Sequence, residues 1–220
     1  MSEASPFDLS LSKDRFDPQF RFATPFVVAP LNDPEALNAA LRTTILDRAA
    51  RLPSMKVSNY GGWQSQTDFA DWSGPAGKAL LAIACKLADS LTAVQTPEGL
   101  VAGAPAWKVN AWANLNHPGD GNHAHHHPAA FWSGVYWVDV GGEGEDCGGE
   151  FEMHDPRGVL PAFYAPGLRY ALAGCLSAGG QDFFTPRAGV LALFPSWLVH
   201  AVRPYTGAGE RISIAFNLSV

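Results

Sequence analysis

Positive charge is scarce and scattered in this chain. Of 220 residues, 15 are Lys or Arg against 21 Asp or Glu, for a formal net charge of −6. No Lys/Arg cluster occurs, whereas a nucleic-acid binder ordinarily carries a basic stripe, so the composition argues against such a partner. Cysteine is nearly missing too. Cys85, Cys147 and Cys175 are odd in number and show no CxxC spacing. They make no disulfide framework and are expected to be inert thiols in a reducing compartment. No apolar run reaches the roughly 18–20 residues needed to span a bilayer. The first residues, MSEASPFDLSLSKDRFDPQ, are polar and acidic and do not read as a signal peptide. The expected location is therefore cytoplasmic, with no membrane partner.

What the chain does have is apolar residues, glycine and proline. Hydrophobic residues make up 47%, charged residues 16%, and there are 22 Gly and 17 Pro. That composition is globular, and its dense turn punctuation favours a β-rich body. The length suits one domain over 1–220, with a loose arm at 1–20. A short strand is expected at 21–31. Asn32-Asp33-Pro34-Glu35 reads as a helix start. That helix should run to about Ala50, with Leu37, Leu41, Ile45 and Leu46 on one face, and stop before Pro53. A second helix should run from Ser73-Gly74-Pro75 to about Val94, burying Leu80, Ile83, Ala84, Leu87 and Leu91. After residue 97 the apolar period changes from helical to alternating. Strands are expected at 106–115, 122–127, 131–140, 149–154, 168–174, 189–194, 198–203 and 210–219. Residues 1–97 thus supply the arm and two supporting helices, and 98–220 the core: a mainly β protein, sandwich or barrel, with flanking helices.

Five of the seven histidines lie within eleven residues: His117, His123, His125, His126 and His127. In a strand, residues two apart face the same way, so His125 and His127 can reach one ion at metal–N distances of roughly 2.0–2.1 Å. A third ligand must come from elsewhere. His200 stands alone among Trp197, Leu198, Val199, Ala201 and Val202, where its ring nitrogens need a partner. A satisfied core histidine would explain His200 taken alone, but the HxH pair upstream favours a metal. Imidazole ligation suits Fe, Zn, Cu or Ni, and three protein ligands leave positions open for catalysis.

The ordered segments Asn114…Asn122-His-Ala-His125-His-His127-Pro, Ser133-Gly-Val-Tyr136-Trp-Val138, Gly148-Gly-Glu-Phe-Glu152-Met-His-Asp155-Pro-Arg157, Phe194-Pro-Ser-Trp-Leu-Val-His200 and Arg211-Ile-Ser213-Ile-Ala-Phe-Asn217 resemble the metal-bearing half of Fe(II)/2-oxoglutarate oxygenases. They are most similar to a bacterial and phage group of uncharacterised members, over about residues 106–219. The resemblance implies a double-stranded β-helix, a jelly roll or cupin-like barrel. It also implies Fe(II) and 2-oxoglutarate as cofactor and co-substrate, and oxidative decarboxylation to succinate coupled to hydroxylation. Arg211 lies 11 positions after His200, close to the spacing at which relatives place the residue that grips 2-oxoglutarate. The strand around it has its own logic: Ile212, Ile214, Phe216 and Leu218 alternate with Arg211, Ser213, Ala215 and Asn217. A buried guanidinium there needs an anion and matches a carboxylate bidentately. Ser213 shares its face. Asn114 and Tyr136 sit where relatives place further contacts to 2-oxoglutarate.

One departure matters. Relatives carry HxD or HxE, two His and one carboxylate, and here His127 stands at the acid's position. Glu152 or Asp155 is the alternative ligand, although Asp155 also reads as a turn residue before Pro156. Trp112, Trp132, Trp137 and Trp197 read as core, and Arg157 as half of a salt bridge. The rival functions are a cupin-like three-His metalloenzyme that does not use 2-oxoglutarate, and a non-enzymatic metal- or ligand-binding barrel. Expected substrates are small molecules, amino acids or protein side chains. Exposed aromatic residues leave room for a homodimer.

Overall fold

The last strand sets the architecture. Ile212, Ile214, Phe216 and Leu218 are fully buried on one face, while Arg211, Ser213 and Ala215 turn the other way into a cavity. Burying each of those four apolar side chains contributes about 1.5–3 kcal/mol. In the computed structural model, which describes residues 21–103, 105–142, 147–159, 163–174 and 178–220, this strand is central. The first elements in chain order are β1 (Val27–Pro30), α1 (Glu35–Arg51), β2 (Asn59–Tyr60), β3 (Trp63–Gln64), α2 (Phe69–Trp72) and α3 (Gly74–Ser90). A hairpin of β4 (Ala93–Thr96) and β5 (Gly99–Ala102) follows. The barrel strands are β6 (Lys108–Asn116), β7 (Gly121–His125), β8 (Trp132–Val140), β9 (Phe151–His154), β10 (Gln181–Phe184), β11 (Val190–Pro195), β12 (His200–Val202) and β13 (Arg211–Ser219).

Two sheets face each other. The larger has the order β1-β11-β8-β13-β6-β3 and the smaller β10-β9-β12-β7-β2, with antiparallel neighbours throughout. Two cores follow from the alternation along the shared strands. Outside the large sheet, Leu41 and Ile45 of α1 and Leu80, Leu81, Ala84 and Ala88 of α3 pack on Tyr136, Leu191, Leu193, Ile212, Ile214 and Phe216. Between the sheets, Val135, Trp137, Ala192 and Phe194 meet Phe151 and Leu198. Arg42 ties α1 to the rim, 3.2 Å from Asp139 and 2.6 Å from Glu210. Gly134 lets Phe216 cross: a Cβ there would meet the Phe216 ring at 2.2 Å and the Ala192 carbonyl oxygen at 2.8 Å.

The jelly roll and its flanking helices are those expected from the sequence, with corrections. Residues 168–174 form turns and irregular chain, not a strand, and Leu168 and Tyr170 stand exposed. The second helix ends at Ser90, and Val94 lies in the hairpin. The short strand expected at 21–31 is β1, and residues 59–64 also add β2 and β3 to the sheets. The expected arm at 1–20 and Cys175 lie outside the described residues. Among the described residues, no helix is long and apolar enough to cross a membrane.

Candidate active site

His200 opens β12 directly across from His125, which closes β7. Cross-strand partners project to the same face, so both rings enter the space between the sheets. His127 lies two residues past the end of β7, where its backbone N–H donates to the Ser196 carbonyl oxygen at 2.9 Å. The three rings converge, with centroid separations of 4.4 Å (125–200), 4.9 Å (125–127) and 5.1 Å (127–200). One potential ligand atom from each lies within 4.8 Å of the others. An ion with bonds of about 2.1 Å would draw them together by small rotations.

Nearby backbone fixes two of the rings. His200 Nδ1 sits 2.8 Å from the Leu198 carbonyl oxygen, and His125 Nδ1 sits 2.7 Å from that of His123. A carbonyl can only accept, so each Nδ1 carries the proton and each Nε2 keeps its lone pair for a metal. Burial holds all three imidazoles neutral. It pushes His200 down to about 3 and His127 to about 4, and lowers His125, with the neighbouring histidines adding to each effect. Phe151 stacks on His200 at 4.9 Å and 19°, and Phe194 meets it edge-on at 4.9 Å.

The alternative ligands stand elsewhere. Glu152 points to the outer face of the small sheet, accepting from Gln181 Nε2 at 2.7 Å and lying 3.0 Å from His154 Nε2. Strand alternation is the reason: Phe151 and Met153 face inward, so Glu152 faces out. Asp155, one residue past β9, forms a two-bond pair with Arg157 at 2.6 and 2.9 Å. Neither belongs to the cluster, which among the described residues consists of His125, His127 and His200. Arg157 thus has the salt bridge that the sequence suggested.

A cavity open to solvent at one side runs from the imidazoles past Trp112, Asn114, Trp137 and Ser213 to Arg211. Arg211 is 3% exposed, and its guanidinium donates to Asn116 Oδ1 at 3.2 Å and the Gly149 carbonyl oxygen at 3.1 Å. Among the described residues no carboxylate lies within ion-pair distance of it. Burial lowers its pKa to about 10, which leaves it charged at neutral pH. Gly149 makes room for it: at φ +71°, a Cβ would sit 2.9 Å from Arg211 Nε. Asn114 and Ser213 are cross-strand partners in the same row, and Asn114 Oδ1 is buried with no hydrogen-bond partner.

Tyr136 is not in this cavity. Its hydroxyl donates to Asn38 Oδ1 of α1 at 2.6 Å, on the helix side of the large sheet. Its neighbours Val135 and Trp137 face the cavity instead. Sequence reasoning also passed over Asn116, although it continues the inward parity of Trp112 and Asn114, and Ser58 and Asn122, which line the metal end. Trp197, expected in the core, is half exposed.

Residues 110–217 match the model of the family described as "Putative 2OG-Fe(II) oxygenase". That segment, the jelly roll, belongs with the 2OG-Fe(II) oxygenases. The chain is an enzyme of that kind, using Fe(II) and 2-oxoglutarate. Solved structures share the fold at low identity. A Pseudomonas putida prolyl-4-hydroxylase is 18% identical, with a TM-score of 0.58 over 88% of this chain and 91% of that one. A Trichoplax adhaerens prolyl hydroxylase, solved with a hypoxia-inducible-factor peptide fragment, is 12% identical, with a TM-score of 0.61 over 88% and 83%. HygX from Streptomyces hygroscopicus, solved with nickel and 2-oxoglutarate, is 13% identical, with a TM-score of 0.57 over 90% and 83%. No curated protein matches the sequence. His125, His127, His200 and Arg211 all fall inside the matched segment.

Proposed function

We propose that His125, His127 and His200 hold the Fe(II), and that Arg211, Ser213 and Asn114 hold 2-oxoglutarate, for hydroxylation of a small molecule, free amino acid or protein side chain. One observation carries this assignment: a buried, charged Arg211 with no carboxylate partner among the described residues faces the same cavity as three neutral imidazoles. Burying a lone cation is costly, and a dicarboxylate would offset that cost. The orphaned Asn114 Oδ1 supports a polar ligand in the same row; swapping the amide atoms would put a donor there instead.

Bound together, Fe(II) and 2-oxoglutarate supply an oxidant made from dioxygen, with succinate and CO2 as by-products. The chain's own residues do the rest. Nδ1–H bonds aim the His125 and His200 lone pairs at one point. Arg211 fixes the far carboxylate as a fork. Phe151, Phe194 and Trp112 keep bulk water from the reacting end.

Cytoplasmic residence fits the free Cys85 and Cys147. The net charge of −6 disfavours a nucleic-acid partner. Exposed Trp197, Phe163 and Tyr164 provide apolar surface for a homodimer.

The test is an anaerobic titration of the Fe(II)-loaded protein with 2-oxoglutarate. A visible charge-transfer band that saturates, followed by succinate formation on admitting air, is the expected result. No band and no succinate would overturn the proposal.

A further inference from the structure

Of the three buried tryptophans among the described residues, two have a partner for the indole N–H and one does not. Trp63 Nε1 donates to the Leu52 carbonyl oxygen at 2.8 Å, and Trp132 Nε1 to Thr92 Oγ1 at 2.9 Å. The half-buried Trp72 and Trp107 donate to Asp68 and Asp89 at 3.0 and 2.7 Å. Trp137 is fully buried, and its Nε1 has no acceptor among the described residues. A buried donor left unpaired is costly, and native structures rarely keep one without a reason.

Position supplies the reason. Trp137 on β8 is the direct cross-strand partner of Ser213 on β13, and Ser213 is in turn the partner of Asn114 on β6. Trp137, Ser213 and Asn114 therefore form one row across the large sheet, between the imidazoles and Arg211, and all three line the cavity. Two members of that row, Trp137 Nε1 and Asn114 Oδ1, are the cavity's unpartnered buried polar atoms among the described residues. The indole is wedged by Phe184 at 5.4 Å and Phe151 at 6.4 Å, so it cannot swing out to find water. An acceptor must come to it.

We infer that Trp137 is a co-substrate-binding residue: its Nε1–H donates to the carboxylate of 2-oxoglutarate that Arg211 and Ser213 hold. This rests on the assignment of 2-oxoglutarate to this cavity. The row gives that carboxylate a neutral donor beside the guanidinium, and so favours a dicarboxylate over a ligand with only the chelating end. No polar pattern in the strand signals it, because the donor sits on a side chain that counts as apolar.

The experiment uses the full chain loaded with Zn(II), which binds the ligands without turnover, and ¹⁵N-labelled tryptophan. The Trp137 indole resonance, assigned through its contacts with the Phe151 and Phe184 rings, should move downfield on adding 2-oxoglutarate, while those of Trp63 and Trp132 stay put. Calorimetry on Trp137→Phe, which keeps the ring packing and loses the donor, should show 2-oxoglutarate affinity falling about tenfold or more. The affinity for oxalate, which lacks a distal carboxylate, should be unchanged. A Trp137 signal that stays fixed while the wild type binds 2-oxoglutarate overturns the inference alone. So does an equal loss of oxalate and 2-oxoglutarate affinity in the variant. Failure of the wild type to bind 2-oxoglutarate overturns the co-substrate assignment and this inference with it. The resonance measurement needs only the wild type, so it stands even if the variant does not fold.

Discussion

Arg211 has lost its water and gained two neutral acceptors, Asn116 Oδ1 and the Gly149 carbonyl oxygen. Its charge is therefore available to a ligand at little reorganisation. Arg211→Ala should weaken 2-oxoglutarate binding by about 100-fold or more, with Zn(II) stoichiometry unchanged, as calorimetry and metal analysis would report. Arg211→Lys should recover part of the loss, since it restores the charge but not the fork. The imidazoles add a pH dependence. In the folded metal-free protein His127 and His200 titrate at about 4 and 3, whereas in the unfolded chain they titrate near 6.5. Between about pH 6.5 and 4 the unfolded chain binds protons that the folded one refuses, so stability falls as pH drops through that window. Above about pH 6.5 the effect is absent. The metal-free protein should lose at least about 5 °C of Tm between pH 7 and 5; a flat profile in thermal melts would contradict the burial of neutral rings. His125 and His200 were legible in the sequence, one through its HxH spacing and the other as an isolated polar ring in an apolar segment. Trp137 was not, because nothing in a one-letter pattern tells a satisfied indole from an unsatisfied one.

Among the elements, β13 and β8 make opposite cases. In β13 the apolar residues alternate with Arg and Ser, so its two faces read directly from the sequence. In β8, Trp132 through Val138 are all buried, because one face meets the helices and the other the inner core. A strand buried on both faces has no polar alternation to fix its parity, and Tyr136 was placed on the wrong side for that reason. Tyr136→Phe should leave 2-oxoglutarate affinity within about twofold and cost about 1 kcal/mol of stability through the lost Asn38 bond. Phe216→Ala, by contrast, empties the centre of the outer core and should cost about 3–5 kcal/mol in denaturant unfolding. β10 went unseen because Gln181-Asp182-Phe183-Phe184 is an edge strand, largely exposed, with no inside–outside rhythm. The two-residue strands β2 and β3 are too short to show any period.

For the molecule as a whole, the site joins the two sheets: His125 and His200 come from the small sheet, and Arg211, Ser213 and Asn114 from the large one. A ligand that bridges them should clamp the sandwich. At concentrations about 100 times their Kd, metal and co-substrate each add about 2.7 kcal/mol, which raises Tm by roughly 5–10 °C. Chelation should reverse the gain, and His200→Ala should abolish the metal's share, in thermal-shift measurements. The most direct test of the central claim is a crystal structure of the anaerobic protein with Fe(II) and 2-oxoglutarate, with the iron located by its anomalous signal. The account predicts one iron bound by His125, His127 and His200, and the far carboxylate of 2-oxoglutarate on Arg211. Iron held by a protein carboxylate in place of His127, or a dicarboxylate seated away from Arg211, would contradict it.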